Sequence, residues 1–245
     1  MIKSHLLINN NTSLNGRIAT TSQRVSRTAL ANTLAEGNPC FFAEQLPSTL
    51  QTVLNCASAD EKRFPSQLLI LKKVDNKYRL YSFEQDVYRK WKRRFAVISS
   101  SVGKNGISCD KKEGDNKTPS GCFRLTHAFG IAEKPHCRFN YIQITDNSFW
   151  VDDPTSKYYN QWIEGQKQKD WRSAERLADY PVQYTYALAI GYNTDPIIPG
   201  KGSAIFLHCG ESPTAGCIAI PRKHMLTLLE WLEPEMNPHI LIIED

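Results

Sequence analysis

The sequence predicts a mainly β protein: a β-sandwich with short helical insertions and one C-terminal amphipathic helix. Apolar runs of strand length recur from Gln67 onward, Gly- and Pro-bearing turns separate them, and a single segment sustains a helical period. Leu68–Val74 and Tyr78–Glu84 flank Asp75-Asn76-Lys77 and read as a hairpin. The basic run Arg89–Arg94 leads into Phe95, and its alternation of Trp91, Arg93 and Phe95 reads as a strand with one solvated face. Phe95–Ser100, Phe123–His127, Asn140–Ile144 and Tyr184–Tyr192 read as further strands, whereas Trp162 and Trp171–Arg176 read as short helical insertions. Ala204–Leu207 and Cys217–Ile220 are apolar enough to be buried strands. Arg222–Trp231, entered through Pro221, places Met225, Leu228, Leu229 and Leu232 on one side of a helix, and His239–Ile243 closes the chain as a strand. Residues 1–60 form a separate N-terminal segment: its Asn-, Thr- and Ser-rich start reads as flexible, and Ser48–Ala57 as a short helix begun by Ser48. Residues 61–245 are left as one domain.

Composition narrows the function. A chain of 245 residues with 41% hydrophobic and 22% charged residues buries a full core. Its net charge of +5 suits an anionic polymer, but Lys and Arg are scattered, so nucleic acid is not an expected partner. No window approaches the roughly 18 apolar residues of a membrane-spanning helix, and no secretion signal is legible, because Met1–Ile8 runs into polar Asn9–Ser13. Seven cysteines leave two pictures: all thiols in a reducing compartment, or six paired and one free in an oxidising one.

Chemistry concentrates in Ala204–Arg222, where His208 precedes Cys217 by nine positions. A thiol attacks a carbonyl as thiolate, so an adjacent imidazole that takes its proton makes it a nucleophile. The apolar run is expected to deliver His208 at a strand end, and Thr214-Ala215-Gly216 to form a tight turn whose amides face a developing oxyanion. On this reading the Cys217 pKa falls below the roughly 8.5 of a free cysteine. Two plainer readings compete: a core histidine beside a buried thiol, and a zinc site using His208, Cys209 and Cys217. Structural zinc commonly uses close pairs such as C-x-x-C, and the chain has none. His127 and His136 read as structural or exposed, and Cys122 as a buried thiol.

The segment resembles the L,D-transpeptidase catalytic domain, also called YkuD-like, through His208 followed by Thr214-Ala215-Gly216-Cys217. Two further stretches extend the resemblance. Val102–Ile107 continuing through Cys109–Phe123 is similar to the family's G-x-x-G and K-x-G-D-x-x-T-P-x-G-x-F block, and Phe149–Pro154 with Trp171–Glu175 resembles a subgroup's substrate-side region. Ala215 stands where the commoner pattern has histidine, and Ala219 where it has arginine. The resemblance implies that Cys217 attacks a peptidoglycan tetrapeptide stem and releases D-alanine, with His208 as base, the amides of Gly216 and Cys217 as oxyanion donors and the Cys209 carbonyl orienting the imidazole. Trp150, Asp152, Trp171, Arg172, Tyr192 and Thr214 are the expected substrate-binding residues. No metal or organic cofactor is required, carbapenem-type β-lactams are expected inhibitors, and the enzyme is expected to be periplasmic or secreted. L,D-carboxypeptidase activity, a peptidoglycan-targeting toxin and a catalytically silent wall-binding module are the alternatives.

Overall fold

A computed structural model describes residues 65–244, so the N-terminal segment and the helix expected over Ser48–Ala57 lie outside the described residues. In chain order the strands are β1 Gln67–Val74, β2 Lys77–Gln85, β3 Trp91–Arg93, β4 Ile98–Ser100, β5 Ile107–Ser108, β6 Thr118–Pro119, β7 Gly121–Gly130 and β8 Tyr141–Gln143. They continue as β9 Ser148–Val151, β10 Trp162–Glu164, β11 Ala174–Arg176, β12 Ala187–Ile190, β13 Phe206–Cys209, β14 Ile218–Ile220 and β15 His239–Ile242. Helix α1 spans Arg222–Trp231.

Ten strands form one sheet in the order β14-β13-β12-β7-β15-β1-β2-β3, with β4 on β2 and β8 on β7. The sheet folds back on itself. Ser101, just past β4, exchanges both backbone hydrogen bonds with Ala219 in β14, so distant strands of the sheet meet. Enclosed between them are Leu69, Leu71, Leu80 and Ile98 from one side and Leu207, Ile218 and Ile220 from the other. Each such side chain contributes roughly 1.5–3 kcal/mol when fully buried. α1 adds Met225, Leu228 and Leu229 to this core, as its apolar stripe predicts. β1 is buried on both faces, because Leu68 and Ile70 pack against Phe83, Trp91 and Leu241 on the reverse side.

Local chemistry explains the hairpin. Asp75 and Asn76 both take left-handed backbone angles (φ 50° and 58°), a two-residue turn whose twist matches its flanking strands. Lys77 therefore belongs to β2, not to the turn.

Several expected elements differ. Trp162 and Ala174–Arg176 are not helical: β10 and β11 pair antiparallel with the two edges of β9. Their period-2 signal is only three residues long, too short to compete with helical propensity in the sequence. The expected strand Tyr184–Tyr192 begins instead as a 3-10 turn, Gln183–Thr185, before β12. The run Phe95–Ser100 contributes only Ile98–Ser100 as strand. Finally, β13 is displaced by two residues from the expected Ala204–Leu207, so His208 lies inside the strand and not at its end.

Candidate active site

Strand pairing brings His208 and Cys217 together. β13 and β14 run parallel with His208 beside Ala219, and Cys217 immediately precedes β14. Both residues line one cavity of about 600 Å³, also bordered by the loops at 111–116 and 203–205 and by Asp152, Glu175 and Tyr184.

His208 is almost fully buried. Its Nδ1 lies 2.8 Å from the Cys209 carbonyl oxygen, an acceptor only, so Nδ1 carries the proton and Nε2 keeps a lone pair. Burial also lowers the imidazole pKa, although the Cys209 carbonyl opposes the shift, and the ring rests neutral. The Tyr184 ring meets it edge to face, with centroids 5.8 Å apart. A neutral, fixed imidazole is equipped to accept a proton at Nε2.

The thiol differs from the sequence expectation. Cys217 Sγ donates to the Ala204 carbonyl at 3.2 Å and accepts from the Phe206 N–H at 3.4 Å. Burial pushes its pKa up to about 12 and the Glu175 carboxylate pushes the same way, while the Phe206 N–H and the Lys111 ammonium oppose them. The resting state is therefore a neutral thiol beside a neutral imidazole, not the activated thiolate predicted from the His–Cys spacing. Seen alone, the motif carries no information about Glu175 or about desolvation, the two effects that raise the pKa.

The loop carrying Cys217 is held from below. Thr118 is completely buried; its hydroxyl accepts from the Gly103 N–H at 2.9 Å and donates to the Gly216 carbonyl at 2.8 Å. Thr214 Oγ1 donates to the Cys217 carbonyl at 2.6 Å and accepts from the Gly216 N–H at 3.1 Å. The Gly216 amide is thus engaged, whereas the Cys217 amide has no hydrogen-bond acceptor among the described residues. Close packing requires glycine at 103, where a Cβ would stand 2.4 Å from the Asn116 carbonyl oxygen. At Gly216 a Cβ would press on the Lys117 carbonyl at 3.0 Å.

A second brace fixes Ala204, the thiol's acceptor, in a left-handed conformation (φ 52°) that costs a non-glycine residue free energy. The Ala204 N–H donates to Asn160 Oδ1, which also accepts from Trp150 Nε1 at 2.9 Å. Asn160 Nδ2 donates to the Tyr192 and Asn193 carbonyls. On the same loop, Glu113 Oε2 accepts from Tyr159 and Ser203. Lys111, nearly fully buried, is paired with Asp115 at 2.6 Å. Burial raises the Asp115 pKa, but Lys111 and the N–H groups of Lys112 and Lys117 outweigh it and hold the carboxyl below its ordinary value.

The expected substrate-binding residues divide. Asp152 and Thr214 border the cavity. Trp150 is buried behind it, stacked near His127 and edge-on to Phe206 at 4.8 Å. Trp171 is buried against Tyr158, and Tyr192 spends its hydroxyl on the Lys201 carbonyl. Arg172 is exposed; its backbone N–H and guanidinium turn to Asp153, whose pKa is lowered to about 2 by the Arg172 N–H together with the N–H and hydroxyl of Thr155. For an aromatic in a polar stretch, sequence does not distinguish core from cleft; burial assigns Trp150 and Trp171 to the scaffold, whereas Tyr192 is half-buried. Glu175, Tyr184, Lys111, Thr118, Asn160 and Ala204 were not singled out from sequence. Thr118 and Glu175 nevertheless sit in the stretches that carried the resemblance.

Among the described residues, Cys137, Cys209 and Cys217 carry free thiols. Among the described residues no helix is long and apolar enough to cross a membrane.

The family model of the L,D-transpeptidase catalytic domain matches residues 70–240. The chain belongs to this family. The match takes in the 102–123 block, the β9–β11 sheet and the His208–Cys217 segment, so every part of the cavity described above lies within the family domain. No curated protein matches the chain.

Proposed function

We propose that this protein is a cysteine acyltransferase acting on peptidoglycan tetrapeptide stems. Cys217 Sγ attacks the carbonyl between the L-centre of a diamino acid and the terminal D-alanine as His208 Nε2 takes the thiol proton. Both start neutral, so the proton moves during attack, assisted by the imidazole. The Cys217 N–H receives the developing oxyanion, with Thr118 and Thr214 fixing the peptide that carries it. Collapse of the tetrahedral adduct returns the proton from His208 to the leaving amine, releasing D-alanine and leaving a thioester. An amine of a second stem resolves it; water in its place makes the reaction a carboxypeptidation. The observation that carries this reading is the shared cavity of Cys217 and the lone-pair-bearing His208, within a domain of this family.

The test is D-alanine release from tetrapeptide muropeptides by the full chain. Wild type is expected to release it and Cys217→Ala to release none; equal release by both removes Cys217 as nucleophile, and none from wild type favours a silent wall-binding module. A carbapenem is expected to add its mass to wild type and not to Cys217→Ala. Because such stems lie outside the cytoplasm, we further propose export, tested by cell fractionation; exclusive cytoplasmic recovery refutes it.

A further inference from the structure

Part of the lining of the cavity that holds Cys217 is acidic and only partly satisfied. Asp152 directly follows β9, and Glu175 lies in β11, whose register sets Ala174 opposite Val151 and Glu175 opposite Trp150. The antiparallel pair thereby brings both carboxyl groups to the cavity that holds Cys217 and His208. They are close enough for the charge of Asp152 to act on Glu175. Asp152 Oδ1 is shielded from solvent and accepts no hydrogen bond among the described residues. Among the described residues, Glu175 Oε1 accepts only the Tyr184 hydroxyl.

Nearby cations are committed elsewhere. Arg172 turns to Asp153, Arg176 to Asp146 and Asp179, and Lys111 to Asp115. A shielded carboxylate oxygen without a donor costs free energy that a ligand bearing N–H groups recovers. No group of three His, Cys, Asp or Glu side chains among the described residues is arranged to hold a metal ion. A compact cation with several hydrogen-bond donors, a primary ammonium, matches two convergent carboxylates.

We propose that Asp152 and Glu175 are specificity residues that hold a protonated primary amine of the substrate beside the scissile carbonyl. This rests on the proposed reaction, in which the substrate contains a diamino acid. The amine is the second amino group of that residue in the donor stem; an acceptor amine must be unprotonated to attack the thioester and is not the one held. Lys111 also lines the cavity, close to Gly216, but its charge is paired with Asp115.

The experiment compares kcat/KM of the full chain for D-alanine release from donor stems with that amine free or acetylated, the acceptor being left unmodified. Acetylation is expected to cost wild type about tenfold or more, the scale of a hydrogen-bonded charge. That penalty is expected to shrink to about twofold in Asp152→Asn and in Glu175→Gln, whatever either substitution does to the overall rate. A loss of rate without a change in the penalty is what a merely structural role gives, and it overturns the proposal. So does a wild type indifferent to acetylation of the donor amine; if that enzyme still releases D-alanine, the reaction stands and only the wall assignment falls. If wild type releases no D-alanine from any stem, the proposed reaction falls, and affinity of Cys217→Ala for the free and acetylated stems decides the wall separately. Equal dissociation constants there refute it.

Discussion

On one side of the cavity, His208 lies in β13 and Cys217, nine residues on, just before the parallel strand β14, and hydrogen bonds with Thr118, Thr214 and the Ala204 loop define their surroundings. On the facing side, Asp152 and Glu175 come together only because β11 pairs with β9 across an intervening strand and loop, and few protein groups satisfy them. The first side is nearly saturated with internal bonds, the Cys217 N–H and the His208 Nε2 lone pair being left for the reaction, and the second keeps its bonding capacity for a ligand. Full satisfaction makes a polar network rigid, whereas an unsatisfied carboxylate is held at a cost and marks a place where binding is rewarded.

The saturated side is broken most severely at the base. Removing the imidazole in His208→Ala leaves a thiol with a pKa near 12 and no group to receive its proton. D-alanine release is expected to fall by roughly 10²–10⁴, the usual contribution of a positioned base. Carbapenem acylation is expected to slow in parallel. Retention of more than a tenth of wild-type kcat with the fold intact excludes His208 as the base.

Thr118→Val tests whether the brace matters beyond the reacting pair. It removes a donor to the Gly216 carbonyl and the acceptor of the Gly103 N–H in a fully buried place. An unsatisfied buried group costs roughly 1–3 kcal/mol, so a loss of unfolding free energy of about that size, read from the shift in denaturant midpoint, is expected, together with a fall in kcat larger than any change in KM. A normal kcat in a destabilised protein shows that the brace supports the fold without orienting Cys217.

How much of each side was legible follows from how local its construction is. The His208–Cys217 pair and the Cys209 carbonyl contact arise within one short segment, so residue order alone places them. The hairpin and α1 were readable for the same reason: turn chemistry and a 3.6-residue period are local signals. The acidic wall rests on β10 and β11, three-residue strands whose existence depends on pairing with β9, and the sequence suggests helices there. Asp152 was reached through resemblance and Glu175 was missed. The thiol pKa was misjudged because desolvation and a distant carboxylate set it, neither of which a motif encodes.

The unsatisfied side is sharpened by pH. Burial is the main cause that raises the Glu175 pKa to about 7, with Asp152 adding to it and the Tyr184 hydroxyl opposing. A carboxyl whose folded pKa exceeds its unfolded value of about 4.3 favours folding while protonated. Its contribution is complete below the unfolded value and is lost as pH rises through about 7. Glu175→Gln does not titrate, so it is expected to gain melting temperature relative to wild type between pH 5 and pH 8. A difference between the two proteins that stays constant across this range shows that Glu175 titrates like an exposed carboxyl.

The smallest expected effect marks where the acidic wall ends. Arg172 is close to Glu175 in sequence and was an expected substrate contact, yet its side chain is exposed and lies 3.6 Å from Asp153, away from the cavity lining. The Asp153 carboxylate remains supported without it by the N–H groups of Arg172 and Thr155 and by the Thr155 hydroxyl, and substitution at 172 leaves the backbone donor in place. Arg172→Ala is therefore expected to change stability by no more than about 1 kcal/mol, as for other exposed ion pairs, and to leave KM within about twofold, well short of the effect of losing a charged ligand contact. A tenfold rise in KM for the same stem would instead extend the binding surface past Asp152 to the outer face of the β9–β11 sheet. That surface would then join a cationic site to the acidic one, and an anionic part of the substrate would have to reach it.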